Sequence, residues 1–482
     1  MDCVGTHYYR DVDYGGETPE QKAIEELQKE VEEINTTLAE QGGELDKINA
    51  EFVIIYPTDS DAVVQEKINK EGVSKVIFAK GVYNNITTTK TIPSNKCLIG
   101  YGATINMPTT LDRLILFMNN SDGSIGGWNA NENITLLGFS FNCANAAEGS
   151  SSETLGFLHS RHIIIKDCTF SSLHNTGGHF IEFCGCYGCA IDHCYFYDYP
   201  AGSEMVQLDV ASGSGAFPPI SGPWDNTESA AIVIANNQFE NPQTYTAERG
   251  ADTFPAAIGN HNKGGRTIAH CKITGNTFAQ ITTAIRSVGI NSTVISNNTS
   301  YGVFNFFSVG SDSGEATTAK YAGNIITNNS ISCAAKVATV TVADSYKCTA
   351  ITYNGINTVI ANNQIWNASA DGIQIRGSDN VISNNRISNC GRSGISLVTT
   401  NGISVTGNNC TSNAEKNVDT SDADIRASGQ NDCVISNNTV NKMFIYTPDK
   451  AGNPIINNLI TQTLTNTGGT AHNNMINGAW TE

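Results

Sequence analysis

The 482-residue sequence is short of positive charge, with 28 Lys and Arg against 46 Asp and Glu and a formal net charge of −18 at pH 7. Nucleic-acid backbones are recognised by clustered cations that neutralise phosphates, and no such cluster occurs, so no nucleic-acid partner is expected. Carbohydrate and protein partners stay open, and an acidic surface also keeps an elongated oligomer soluble. No run of 18 apolar residues occurs, so no membrane insertion is expected. The opening Met1-Asp2-Cys3-Val4-Gly5 has neither the positive region nor the apolar run of a secretory signal. Export by that route is therefore not expected; a particle component released by lysis would need no signal, and neither would an ordinary cytoplasmic protein. Cysteine is modest in number at 14, and no disulfide framework is expected. Cys168, Cys194 and Cys390 fall at repeating positions, where a small buried thiol packs as a hydrophobe. Cys184, Cys186 and Cys189, with His193 and Cys194 beyond, have the closeness of soft zinc ligands. Inside the repeat, however, they fall on strand and turn positions rather than on one point, so neither a metal nor another cofactor is expected.

What is present divides into two unlike segments. Ile24, Leu27, Val31, Ile34, Leu38, Gln41, Leu45 and Ile48 are spaced 3-4-3-4-3-4-3 among Glu and Lys, which is a heptad seam. Thr18 and Pro19 suit a helix start. Gly42-Gly43 weakens the helix by about 1 kcal/mol per glycine while the register survives it. The alternative is a single amphipathic helix folded against the end of the repeat region. Residues 61–69 (DAVVQEKIN) read as a short helix before the first strands, Val76-Ile77-Phe78 and Val82-Tyr83, where a helix protects an apolar edge.

From residue 134 one phrase recurs, a short Ile/Val strand, two small or polar residues that are often Asn-Asn, then another apolar residue. Examples are IVIANNQF (232–239), VISNNTS (294–300), VIANNQI (359–365), VISNNRI (381–387) and VISNNTV (434–440). The second Asn of the phrase gives Asn363, Asn385, Asn409, Asn438 and Asn458, at intervals of 22, 24, 29 and 20. These intervals hold three short strands with their turns and are too irregular for a leucine-rich or helical repeat. The expected architecture is a coil in which inward Ile and Val stack from rung to rung about 4.8 Å apart, while Asn bonds between rungs or takes left-handed turns.

A second strand per coil is registered by Phe180–Phe183, Met205–Leu208, Ala257–Asn260, Ala284–Ser287, Val303–Phe306 and Gly372–Ile375. With Ile181, Val206, Ile258 and Ile285 inward, period-two alternation sends Glu182, Gln207, Asp209, His261 and Arg286 outward on one face. Glu182 and Gln207 are then rung neighbours, as are His179 and Glu204. Long excursions occur at 211–230, with Trp224 and Asp225, and at 240–256, with Tyr245; such loops wall grooves over rigid sheets.

This layout resembles the pectate-lyase-like right-handed parallel β-helix superfamily over residues 52–465. The heptad segment running into YPTDSDAVVQEKI and VIFAKGVYN resembles the head of bacteriophage tailspike and tail-fibre polysaccharide depolymerases. The resemblance implies an all-β, right-handed single-stranded parallel β-helix with a short N-terminal coiled-coil helix. The divisions read along the chain are a tail over 1–18, a coiled-coil stalk over 19–50, a capping and transition region with the first coils over 51–130, the β-helix over 131–465 and a tail over 466–482. It also implies a homotrimer, the number three resting on the resemblance alone, attached to a phage tail or baseplate or working at an extracellular surface on a polysaccharide.

As chemistry, Glu182 and Asp209 lie one rung and two residues apart, about 8 Å between backbones. That suits an acid and a base acting across a water in an inverting glycoside hydrolase, and Glu204 or Asp225 can replace either. His179 and His261 can hold a carboxylate or substrate, or serve as the base of a lyase. Arg286 suits a substrate carboxylate, Gln207 lines the same face, and Trp224 and Tyr245 can stack on sugar rings. Neither the closely spaced aspartates of a pectate-lyase calcium site nor an Asn-x-Asp plus Asp-Asp arrangement occurs. A polysaccharide lyase and a non-catalytic carbohydrate-binding fibre therefore stand beside the hydrolase as alternatives.

Overall fold

The computed structural model describes residues 29, 52–109, 115–119, 123–146, 152–173, 178–199, 204–212, 222–241, 256–261, 266–309, 321–333, 348–398, 400–414, 422–429, 432–446, 454–466 and 470–480. The heptad segment, apart from Lys29, lies outside them.

Strands of two to eight residues stack in columns, parallel except for the last, Ala479–Trp480. The first column is a 16-stranded sheet opening with Phe52–Ile55 and closing with Thr470–His472. Two further columns alternate with it along the chain and merge where Thr439–Tyr446 pairs with both Asn409–Thr411 and Ile425–Ser428. From Lys75 to Asn466 successive circuits contribute to each column in turn, which makes a parallel β-helix. The columns therefore begin inside the segment read as a transition and continue inside the segment read as a C-terminal tail.

Inward positions form the core. In the first sheet Leu136, Ile165, Ile191, Ile234, Ile273, Ile295, Ile326, Ile360, Ile382, Val405, Ile435 and Ile455 pair rung on rung, all buried. Each contributes about 1.5–3 kcal/mol by burial. In the second column Phe141, Phe170, Phe196, Phe239 and Phe278 stack face to face, with centroids 4.6–5.2 Å apart, close to the inter-strand spacing that imposes the stack.

The Asn-Asn phrase splits its two tasks between its two residues. The first Asn takes the left-handed turn, as at Asn236, Asn297, Asn362, Asn384 and Asn437, and glycine replaces it at Gly275 and Gly407. The second enters a buried ladder, Asn237, Asn276, Asn298, Asn329, Asn363, Asn385, Asn408, Asn438, Asn458 and Asn474. In this ladder Asn363 Oδ1 accepts from the backbone and side-chain nitrogens of Asn329, while its Nδ2 donates to Ile326 O and Asn385 Oδ1, all at 2.9–3.0 Å. The ladder passes through Asn408 and not Asn409, which corrects the middle intervals to 23 and 30. Asn409 instead opens the next strand, because the phrase VTGNN carries glycine, not Asn, at the left-handed position.

N-terminally the ladder column passes to cysteine. Cys194 N donates to Asn237 Oδ1, and Cys194 and Cys168 occupy the equivalent buried places one and two rungs back. The first coil is covered by the helix Asp61–Asn69, capped by Ser60 and burying Val64 and Ile68. The Gln65 amide exchanges two 2.9 Å bonds with the Thr91 backbone, and buried Lys90 pairs with Asp61 at 2.8 Å. Among the described residues no helix is long and apolar enough to cross a membrane.

Candidate functional site

The ionisable residues collect on the third column. Leu155, Ile181, Val206, Ile258 and Ile285 are aligned across successive rungs and face the core. Alternation therefore places Gly156, Glu182, Gln207, Gly259 and Arg286 in one outward column, and Leu158, Cys184, Asp209 and His261 in the next. Glu182 and Asp209 stand one rung and two residues apart as the strand pattern requires. The following rung differs from the sequence reading, because Ile285 pairs with Phe307 and Arg286 with Ser308. The strand is Asn305–Val309; Val303 instead ends the second-column strand Thr299–Val303, and Phe304 links the two.

Outward does not here mean exposed. Glu182, Gln207 and Asp209 retain 1%, 5% and 6% of their accessible surface, and Glu153, which opens the strand Glu153–Leu158, retains 3%. Glu153 and Glu182 hydrogen-bond to each other. Burial, offset in part by the bond to Glu182 and reinforced by the charge of Asp209, pushes the Glu153 carboxyl up to about 8. Burial, the charges of Glu153 and Asp209, and donation of that hydrogen bond hold Glu182 well above the usual carboxylate range. Like charges this close do not ionise together, so the pair retains a proton at neutral pH. Gln207 Nε2 donates to Asp209 Oδ2 at 2.7 Å. Glu153 Oε2, Glu182 Oε1 and Gln207 Oε1 are buried oxygens without a hydrogen-bond partner among the described residues.

Glu153 is the member that the sequence reading missed. His179 and Glu204 are one rung apart by their 25-residue offset, and the 26-residue step that aligns Gly156 with Glu182 carries His179 back to Glu153. The chain there, SETLGFLHS, lacks the Ile/Val-Asn-Asn marker by which rungs were recognised.

Glu204 is beside the cluster but engaged. Its buried side chain crosses Gly259, where an added Cβ would lie 2.0 Å from Glu204 Cγ, and reaches Arg286 Nη1 at 3.3 Å. Its carbonyl accepts from buried His179 Nδ1 at 2.6 Å, which places the proton on that nitrogen. Arg286 is half-exposed and closes the far end of the column. The His261 backbone lies opposite Asp209; its side chain and all of Tyr245 lie outside the described residues.

Asp225 and Trp224 are not brought into the carboxyl cluster. Asp225 accepts from Gly127 N at 2.8 Å and from the Thr227 amide and hydroxyl at 2.9 and 2.7 Å. Partial burial works to raise its carboxyl, but these bonds and His159 hold it below the usual range. It serves as a turn clasp joining residues 126–127 to 225–227. Fully buried His159 completes the clasp, with Nδ1 2.7 Å from Gly127 O and Nε2 2.9 Å from Pro223 O. Half-buried Trp224 packs on an outer apolar patch of Ile115, Met118, Leu158, Cys184 and Ala211. Cys184 therefore faces outward, while Cys186, Cys189 and Cys194 belong to the core. Among the described residues no group of three His, Cys, Asp or Glu is arranged to hold a metal ion.

A family model described as "right handed beta helix region" matches residues 260–440 and 331–481. The fold is the right-handed parallel β-helix. Among solved structures, this β-helix is similar to the Streptococcus pneumoniae surface protein and adhesin PfbA, at 19% identity and a TM-score of 0.53 over 72% of this chain and 92% of that one. It is also similar to tailspike protein 3 of bacteriophage CBA120, at 10% identity and a TM-score of 0.51 over 89% of this chain and 62% of that one. No curated protein matches.

Proposed function

We propose that this β-helix is a polysaccharide depolymerase that hydrolyses a surface glycan, with Glu182 as general acid and Asp209 as general base. One observation carries the reading: a buried Glu153–Glu182 pair keeps a proton beside a second carboxyl on the outer face of a rigid sheet. A carboxyl that keeps its proton beside another carboxyl is what the acid in cleavage of a glycosidic bond requires. Glu182 would give its proton to the leaving oxygen. Asp209, oriented by Gln207, would take a proton from the water that attacks the anomeric carbon, and the backbone separation of about 8 Å leaves room for that water. Glu204, tied to Arg286, would position the sugar; His179 would position Glu204; and Arg286 would receive an acidic substituent. A surface-working oligomer, on a phage tail or another extracellular particle, belongs to the same proposal.

The near-complete burial of the three carboxyls favours a second reading, a carbohydrate-binding fibre without turnover, and the likeness to an adhesin accords with it. Incubation of the full chain with a panel of bacterial surface polysaccharides separates the readings. New reducing ends without ultraviolet absorption support hydrolysis, and their loss in Glu182→Gln and in Asp209→Asn supports the assignment. An unsaturated uronide product would replace hydrolysis by elimination, and tight binding without products would replace both by adhesion. Full cleavage by the Glu182→Gln/Asp209→Asn double variant would sink the pair.

A further inference from the structure

The outer face of the second column carries aromatic rings that neither the core nor the carboxyl site uses. Tyr197, Tyr301 and Trp366 fall in one outward row, with Glu240 and Ala279 between the first two and Ser332 between the second and third. At about 4.8 Å per rung, the rings stand about 14 and about 10 Å apart along the solenoid axis. Tyr301 keeps 52% of its surface and Trp366 is half-buried. Side chains stand roughly perpendicular to a sheet, and the neighbours of these two rings in the row, Ala279, Ser332 and Ser388, are too short to cover them. Half-buried Tyr197 lies beside Tyr195 with ring centroids 5.8 Å apart, which makes a two-ring platform at the N-terminal end of the row. Apolar side chains scattered singly over a surface need no explanation, but these rings are aligned. Strand propensity alone does not require them either, because the outward row of the first sheet on the rungs of Tyr301 and Trp366 is aliphatic, with Val294, Ile325 and Val359. From Thr277 to Thr411 the two outward rows of the second column hold no carboxylate, and their one charged residue is Arg386, a rung beyond Gln364.

We infer that this row is a second glycan-binding site, a track along which one strand of an acidic polysaccharide lies parallel to the solenoid axis and is held without being cut. The inference rests on the proposed function in one respect, that the partner is a surface glycan with acidic substituents. Three features select that occupant. A sugar ring offers an apolar C–H face to an aromatic side chain and hydroxyls to its surroundings, and the companion row supplies hydroxyl and amide partners at Thr277, Thr299, Ser330 and Gln364. A pyranose unit is about as long as a rung is high, so a glycan extended along the axis meets Tyr197, Tyr301 and Trp366 at different sugars of one strand. An acidic polymer is repelled by a chain of net charge −18 and least so on a face whose single charge is a cation. Each ring contact is weak alone. Several on one strand act together, and linked to the carboxyl site they raise the avidity for a long polymer over that for a short one.

The test uses the full chain with an acidic bacterial surface polysaccharide, offered as the intact polymer and as a short oligosaccharide prepared from it by partial acid hydrolysis. Polymer affinity of Tyr301→Ser/Trp366→Ser is expected to be about ten-fold or more weaker than that of the wild type, as the loss of one of two linked sites requires. Turnover of the oligosaccharide, which fills the carboxyl site alone, is expected to stay unchanged. Tyr301→Phe/Trp366→Phe keeps the rings and should keep the affinity. Arg386→Glu, an exposed change that leaves both rings in place, should weaken polymer binding in a manner that salt diminishes. Polymer affinity undiminished in the Ser variant or in Arg386→Glu, or lost equally in the Phe variant, would overturn the track and leave the carboxyl assignment standing. Oligosaccharide turnover that falls in step with polymer affinity would overturn it too. Weaker retention by the Ser variant of a polymer that the wild type never cleaves would support the track and sink the hydrolase reading. Retention of no acidic polysaccharide by the wild type would overturn both.

Discussion

From Asn237 to Asn474 the solenoid buries ten successive asparagines whose amides bond to the next rung and to the backbone. On the outer face of the third column it buries Glu153, Glu182, Gln207 and Asp209, and among the described residues an oxygen each of Glu153, Glu182 and Gln207 has no hydrogen-bond partner. Both regions place polar groups out of water on the same repeating backbone, so the repeat does not explain the difference. A satisfied buried network fixes a structure, whereas an unsatisfied one costs stability and persists where something other than stability is selected. The comparison separates the asparagine ladder from the candidate site more sharply than exposure does, because both are buried.

The largest expected effect breaks the comparison at its acidic end. Glu182→Gln should lower glycan cleavage at pH 7 by about 10²–10⁴-fold, the usual contribution of a positioned acid. The same substitution should raise the urea midpoint at pH 8, because it removes a carboxyl that burial penalises when charged. Loss of activity with gain of stability marks a site residue; loss of both would place Glu182 with the scaffold. At the ladder end Asn363→Ala should do the reverse. It strips four hydrogen bonds, taking the side-chain donor from Ile326 O and the shared acceptor from the backbone and side-chain nitrogens of Asn329, at a cost of about 3–5 kcal/mol in urea unfolding. Cleavage by the fraction that remains folded should be unchanged.

The ladder and the register were legible in the sequence because both follow from periodicity. Ile181, Val206, Ile258 and Ile285 mark one inward row of the third column from 181 to 285, and the Glu182–Gln207 and Cys184–Asp209 neighbours follow from it. What was not legible depends on side-chain direction and on contacts distant in sequence. Alternation tells which face Glu182 occupies but not that the face is buried there. Glu153 has no marker residue before it, and the Asp225 clasp depends on Gly127, 98 residues away. The three-residue slip at Phe307 arose because Val303–Phe306 and Asn305–Val309 are both apolar enough to read as a strand.

Titration gives a third way to sharpen the contrast, since the ladder has no ionisable group. Glu153 and Glu182 ionise higher in the folded protein than in the unfolded chain. Below about pH 4.5 both states are protonated and the pair costs nothing by linkage. As pH rises from there through 8, the unfolded chain releases protons first and stability falls. The melting temperature should decline over that window, and the decline should be shallower in Glu153→Gln/Glu182→Gln. An equal slope in that double variant would move its origin to other groups.

A smaller effect is expected at Gly259. Its substitution by Ala drives a Cβ into Glu204, which must leave Arg286 or shift the strand. Overpacking of this kind costs about 1–3 kcal/mol. The KM for an acidic glycan should rise more than kcat falls if Glu204 and Arg286 position substrate, and Gly372→Ala, which meets Ile387 and the Gly394 backbone in the scaffold half, should cost stability without that kinetic signature.

The smallest expected effect is at Asp225. Asn at this position keeps an oxygen for Thr227 or Gly127 but loses the charge facing His159, 3.8 Å away. Because the carboxyl is about a third exposed, solvent screens that interaction and the change in stability should stay within about 1 kcal/mol. Cleavage by Asp225→Asn should match the wild type across pH. Should kcat fall with a change in the shape of the pH profile, Asp225 would rejoin the acids of the site, and the boundary between clasp and carboxyl cluster would have to take in the apolar patch of Trp224 and Cys184.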